Sequence, residues 1–568
     1  VVILLGYRLT DGEHAKPIVG LKSTMTLDWF GEGTVATRRV QAVWSGCGLR
    51  NVARFWPDDD VPSTIYGALL RMGRSPPRPR QDVFAEFLCF CRDWIRQNLI
   101  PLGYDSDVSV ESWLESTNYT ERRKEELRAK WKEVEWLQNV TRRMLRSKSF
   151  RKYEAYESRK AYRMINSRTD EFKCAVAPIF KLIEKVVFQR PEFIKKVPVA
   201  DRPGYLAEHL AGAKSYYTSD FESFENLFTR DFLDGCELAL YEYMSSALPN
   251  GKEWITLVRK AMLGRQICDF KCFGLGVDPM RLSGEMCTSL GNGFSNLMIQ
   301  LFIAQRRGSK IALCVEGDDN IAAVLEGTAP TAEDYESLGL SVKLEKHTTI
   351  DTASFCGIVS DADDGVNVCD IRKALADLFW VDRKYAAARP NKLKALLRMK
   401  AMSLACQYRG CPVLDAVACR IMELTSGYDV RSVMNQVRDV FQREKYAEAL
   451  KSWKTNRTPT SDIPAGTRCL VEELYGVSVE LQLLIESKVS KMEYGEWSDP
   501  AFYEMFPEAW ITHASNYVVE GELEDNVIHY PQIQSKATAS YADALCELES
   551  TGRLRLDREQ QRLRSEAH

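Results

Sequence analysis

The feature that most constrains this chain is an acidic turn between two apolar runs. Ile311-Ala312-Leu313-Cys314-Val315 and Ile321-Ala322-Ala323-Val324-Leu325 flank Glu316-Gly317-Asp318-Asp319-Asn320. Two short apolar runs around a glycine-containing turn predict a β-hairpin. Apolar residues on both sides predict that the hairpin is largely buried, where an uncompensated pair of aspartates is costly. A divalent cation reverses that cost by keeping both carboxylates ionised. A solvated Gly-Asp turn is the commoner meaning of such a sequence, and the hairpin alone does not decide.

Three further segments bear on the choice. Tyr216–Ser219 is expected to form a strand that runs through Asp220 into a helix carrying Glu225. A carboxylate at a strand end can hold a metal that also touches a phosphate, although most such residues are solvated. Ser283-Gly284-Glu285-Met286-Cys287-Thr288-Ser289-Leu290-Gly291-Asn292-Gly293 reads as a loop before an apolar helix, Phe294 to Ala304. Small residues there allow close backbone approach, and Ser283, Thr288 and Asn292 offer short hydrogen-bonding groups. Between Thr141 and Lys173 stand eleven Lys or Arg against four Asp or Glu. Lys148, Arg151, Lys152, Arg159, Lys160, Arg163, Arg168 and Lys173 alternate with Phe150, Tyr153, Tyr156, Tyr162 and Phe172. That mixture suits a phosphate and base channel, or else a solvated helix face.

Composition narrows the class. With 568 residues, 45% of them hydrophobic, the chain can bury several subdomain cores. A net charge of -3 means that any nucleic-acid contact depends on local sorting of charge. The 16 cysteines form no CxxC pair and read as reduced thiols. Cys89 with Cys91, and Cys268 with Cys272, lack further ligands at zinc spacing. Only six histidines weaken any histidine-based hydrolase. The apolar start, Val1 to Leu5, is too short to span a bilayer, and no other stretch approaches that length. No methionine opens the chain, as expected of a product trimmed from a larger polyprotein. A helix is expected from Thr120 to Val140, mostly helical sequence after Val368, and a frayed helical tail over Arg553–Ser565.

In order, these segments resemble motifs F, A, B and C of the RNA-dependent RNA polymerases of positive-strand RNA viruses, most like the tombusvirus-like group. Arg163-Met164-Ile165-Asn166-Ser167-Arg168 resembles the end of motif F, and Asp220 the first position of motif A. Ser283-Gly284, Thr288 and Asn292 match motif B, and Gly317-Asp318-Asp319 motif C, 98 positions beyond Asp220. Leu338–Lys346 is similar to motif D, and Phe355-Cys356-Gly357 stands where motif E would follow. The sequence departs at Glu225, where the family commonly has Asp.

The resemblance implies an α+β right-hand fold, with an antiparallel palm sheet flanked by helices and a mostly helical thumb. Residues 1–140 would be an N-terminal extension and part of the fingers, and 141–215 fingers with the basic channel. Residues 216–360 would be palm, with a fingers insertion at about 226–282. Residues 361–470 would be thumb, and 471–568 its extension and tail. Asp220, Asp318 and Asp319 would bind two Mg2+ ions, with Mn2+ as a substitute. Lys160, Arg163 and Arg168 would clamp a nucleoside triphosphate, and Glu225 with Asn292 and Thr288 would check its sugar. Ser283 and Gly284 would also contact substrate. Lys346, with Lys343 as rival, would be the general acid. Expected partners are template and nascent RNA, ribonucleoside triphosphates and other viral replication proteins, in host cytoplasm at membrane complexes reached through those proteins. A reverse transcriptase and a non-catalytic RNA-binding scaffold are the alternatives.

Overall fold

The structure is a computed structural model. It describes residues 8–10, 13–14, 20–29, 42–56, 61–134, 137–158, 160–434, 436–437, 440–453, 463–517 and 554–556. The fold is mixed α and β, with mostly antiparallel sheets and more helix than strand.

A four-stranded antiparallel sheet lies at its middle. Its strands are Ser215–Phe221 (β1), Lys310–Glu316 (β2), Asp319–Glu326 (β3) and Val342–His347 (β4), in the spatial order β2-β3-β1-β4. The expected strands at 216–219, 311–315 and 321–325 are all present, each slightly longer. β2 and β3 form the expected hairpin, with Glu316 opposite Asp319 and Gly317-Asp318 as its turn. Gly317 has φ 63°, a left-handed conformation that glycine adopts without strain.

Helices Gln81–Asn98 (α1), Asp170–Val187 (α2), Gly251–Met262 (α3) and Thr288–Arg306 (α4) build the main core with this sheet. α4 begins at Thr288, so half of the expected loop is helical. Leu290, Phe294, Leu297, Met298 and Ile299 are all fully buried, which anchors α4 beneath the sheet. The helix expected over Thr120–Val140 runs over Glu121–Val134 and gives way to a short 3-10 turn at Leu137–Asn139. A second sheet contains the antiparallel pair Ser147–Arg151 and Met164–Arg168.

After Val368 the chain is mostly helical, with a short strand at Trp380–Asp382 that pairs with Ala42–Trp44. Cys47, Leu49 and Val52 join the core of this helical region. Residues 42–52 therefore pack with the C-terminal helices, across the boundary expected at 140. Of the expected tail helix, only Leu554–Leu556 is described, and it is extended. The rest of that segment lies outside the described residues. Among the described residues no helix is long and apolar enough to cross a membrane.

Candidate active site

Pairing across the sheet gathers the acidic residues at one end. Ile321 pairs with Thr218, and the same antiparallel register carried two residues further brings Asp319 level with Asp220. Asp220 and Asp319 are exposed and Asp318 is half-buried, so the cluster opens to solvent. Protein nevertheless surrounds the turn. Burial, then the charges of Glu225 and Asp220, push the Asp318 carboxyl above its usual range against the pull of Arg163. Burial, then Asp318 and Asp220, push Asp319 up to about 7. Among the described residues no three His, Cys, Asp or Glu side chains stand close enough to hold a metal ion as they are. The donors themselves suit a hard cation: carboxylate oxygens from two adjacent strands, where the charge of Asp220 adds to the upward push on Asp318 and Asp319.

Asp319 binds its proton more tightly folded than unfolded, so stability falls as pH rises from about 4 to about 7. The destabilisation is complete above that window and absent below it. Asp319→Asn is therefore expected to raise the melting temperature of metal-free protein at pH 8 by about 1–2 °C, after discounting for solvent screening. At pH 4 it should change nothing. Calorimetric scans at the two pH values check this, and an equal shift at both would refute the assignment.

The Ser283–Gly284 loop is held closely. Asn166 N–H donates to the Ser283 carbonyl at 2.6 Å. Gly284 has φ 103°, and a Cβ there would lie 2.8 Å from Ile165 Cγ2. The loop thus rests against the Met164–Arg168 strand, with no room for a side chain at Gly284. The Thr288 hydroxyl accepts from Gly284 N–H at 3.3 Å and donates to the Leu282 carbonyl at 3.2 Å. It closes the loop, instead of standing free for a sugar as expected. Asn292 is buried, and its Oδ1 has no partner among the described residues. The expected pairing with Glu225 is not formed: Arg71 Nη1 holds Glu225 at 3.3 Å.

The basic residues separate into two groups. Arg163 lies near the acidic cluster, where the charges of Glu225 and Asp318 act on it, and its Nε is 3.7 Å from Glu154. Lys160 is exposed, 4.7 Å above the Tyr156 ring. Arg159 lies outside the described residues. Arg168 departs from expectation because it is buried. It donates to Glu285 Oε1 at 2.6 Å, Gln266 Oε1 at 2.5 Å, Ala261 O at 3.2 Å and the Leu145 carbonyl. Its guanidinium braces the loop and is not available to a triphosphate. At the Ser147–Arg168 end of the same strand pair, Arg143, Arg146 and Lys148 line a cleft of about 540 Å³ together with Asp269, which lies 2.5 Å from Arg146.

Sheet register places the two lysines on different faces. Lys343 pairs with Asp220, and Lys346 with Tyr217. Directly opposite residues share a face. Lys343 therefore shares the face of Asp220, whereas Lys346 shares that of Tyr217; both lysines are exposed. Glu345, and to a lesser degree Asp220, raise the Lys343 ammonium above the usual lysine range.

Two sets of residues have no counterpart in the sequence reading. Asn296 and Gln300, on α4, hydrogen-bond the acidic turn and its neighbours. Their signal was a polar stripe in an apolar helix, since Asn292, Asn296 and Gln300 recur every four residues. Arg281 and Glu237, both wholly buried, form an ion pair beside the loop. Their separation in sequence gave no sign of it. The chain matches no protein-family model, and no curated protein proved similar to it.

Proposed function

We propose that this protein is an RNA-dependent RNA polymerase of right-hand architecture. The observation that carries the reading is the register that brings Asp220 and the Gly317-Asp318-Asp319 turn to the same end of adjacent antiparallel strands. α4 bonds the turn through Asn296, the Gly284 loop packs on the Met164–Arg168 strand, and Arg163 lies within the field of the cluster. In this reading β1–β4 form the palm, the Ser147–Arg168 strand pair belongs to the fingers, and the helices after Ile371 form the thumb.

Asp220, Asp318 and Asp319 would hold two divalent cations, which when bound lower the pKa of an RNA 3′-hydroxyl and neutralise the triphosphate. Arg163 and Lys160 would orient the phosphates; the planar fork of arginine matches phosphate oxygens. The Gly284 backbone and the unpaired Asn292 Oδ1 would face the nucleotide sugar. Lys343 would protonate the leaving pyrophosphate from the face it shares with Asp220. Arg143, Arg146 and Lys148 would follow RNA phosphates outside the acidic cleft.

The test is incorporation of labelled ribonucleotides by the purified chain on a primed RNA template with Mg2+ or Mn2+. Deoxynucleotide use in place of ribonucleotides would favour a reverse transcriptase. RNA binding without synthesis would favour a scaffold. Lys343→Met is expected to slow single-turnover incorporation by about 10²-fold, while Lys346→Met stays within about twofold of the parent. The opposite ranking would restore Lys346 as the acid.

A further inference from the structure

We propose that Asn296 and Gln300 are positioning residues that set the spacing of the carboxylates on β1 and at the β2–β3 turn, and so tune divalent-metal affinity. The inference rests on the metal-dependent reading above. Asn296 Nδ2 lies 3.3, 3.0 and 3.1 Å from the carbonyl oxygens of Gly317, Asp318 and Asp319. One amide thus faces three successive carbonyls of the turn. Its Oδ1 accepts from Gln300 Nε2 at 3.0 Å. Gln300 Nε2 also lies 3.3 Å from Ser219 Oγ and 3.3 Å from Asn320 Oδ1. Ser219 in turn donates to Asn320. Ser219 precedes Asp220 and Asn320 follows Asp319, so the two amides connect the turn's carbonyls to side chains beside the carboxylates on both strands.

The relay is buried and braced from behind. Asn296 and Gln300 are both 0% exposed. Gln300 Oε1 accepts from Tyr217 OH at 3.3 Å and from Tyr335 OH at 2.7 Å. A Cβ on Gly293 would lie 3.6 Å from Gly317 N and 3.1 Å from Phe193 Cε1, so glycine lets α4 run close beneath the turn. Leucine at 296 or 300 would serve a purely apolar core as well. Amides are warranted where backbone carbonyls must be fixed in place, because a satisfied buried network holds one geometry. Metal sites need their donors held to within about 0.5 Å. Partners behind a ligand typically affect metal affinity by about 10–100-fold.

The test uses the full chain. Mg2+ and Mn2+ are titrated calorimetrically into the parent, Asn296→Ala, Gln300→Ala and Tyr335→Phe, with RNA affinity and the metal dependence of the rate measured alongside. Asn296→Ala and Gln300→Ala are expected to weaken metal binding by about 10-fold or more, with RNA affinity unchanged. Tyr335→Phe removes the hydroxyl that contacts Gln300 and Ser219 and should keep the fold while weakening metal binding by about threefold. Lower melting temperatures with unaltered metal affinity in all three would overturn the inference and leave the amides a structural role. That result, in a parent that binds metal and synthesises RNA, leaves the polymerase reading standing. A parent that neither binds metal nor synthesises RNA overturns both.

Discussion

Asp318→Ala is expected to reduce template-directed ribonucleotide incorporation by about 10³-fold or more, roughly 4 kcal/mol of transition-state stabilisation. The change removes a carboxylate at the turn that repels Asp319 and is itself repelled by Glu225 and Asp220. Without metal, that repulsion is a penalty. The variant should therefore fold at least as well as the parent while losing activity, a combination that general misfolding cannot produce. Divalent cation should raise the melting temperature of the parent and leave that of Asp318→Ala nearly unchanged, because ligand stabilisation scales with affinity for the folded state. Incorporation assays and melting scans with and without Mn2+ measure both. Equal product from parent and variant would remove Asp318 from the site.

Glu237→Ala is expected to destabilise the protein by about 3–5 kcal/mol, because it leaves Arg281 underpaired in the interior. Burial alone would lower the Arg281 pKa, but Glu237 and the neighbouring anions raise it well above its ordinary value. Arg281 therefore stays charged. Its remaining partner, Glu285, lies 2.9 Å from Arg281 and 2.6 Å from Arg168. Two arginines would then share one buried carboxylate. In the parent, Tyr241 OH donates to Glu237 at 2.5 Å, and a Cβ on Gly291 would lie 2.2 Å from Glu237 Oε1. Glycine at 291 thus leaves the space that the ion pair occupies. The Ser283–Gly284 loop hangs between Arg281 and Glu285, so activity should fall in step with stability. Glu237→Leu combined with Arg281→Met leaves Arg168 paired with Glu285 and should recover most of the loss. A single variant as stable as the parent in thermal unfolding would show that the pair does not carry this load.

The hairpin at 310–326 and the strand at 215–221 were legible in the sequence, because alternating apolar and turn residues dictate local conformation. Asp220, Asp318 and Asp319 were legible for the same reason: each sits at a strand end or turn that local pattern defines. Gly284 was legible as a small residue in a loop, though not the strand against which it packs. The choice between Lys343 and Lys346 was not legible, since a strand's facing depends on register with a distant partner. Arg168 looked like Arg163 in sequence. Only packing sends one into a buried cluster with Glu285 and leaves the other near Asp318. The present partners of Thr288 and Glu225, Leu282 and Arg71, were likewise not legible. The sequence by itself determined which chemical groups the chain owns and the local elements that present them. The tertiary structure decided which of those groups meet, because burial and long-range pairing are properties of the packed chain and not of any segment.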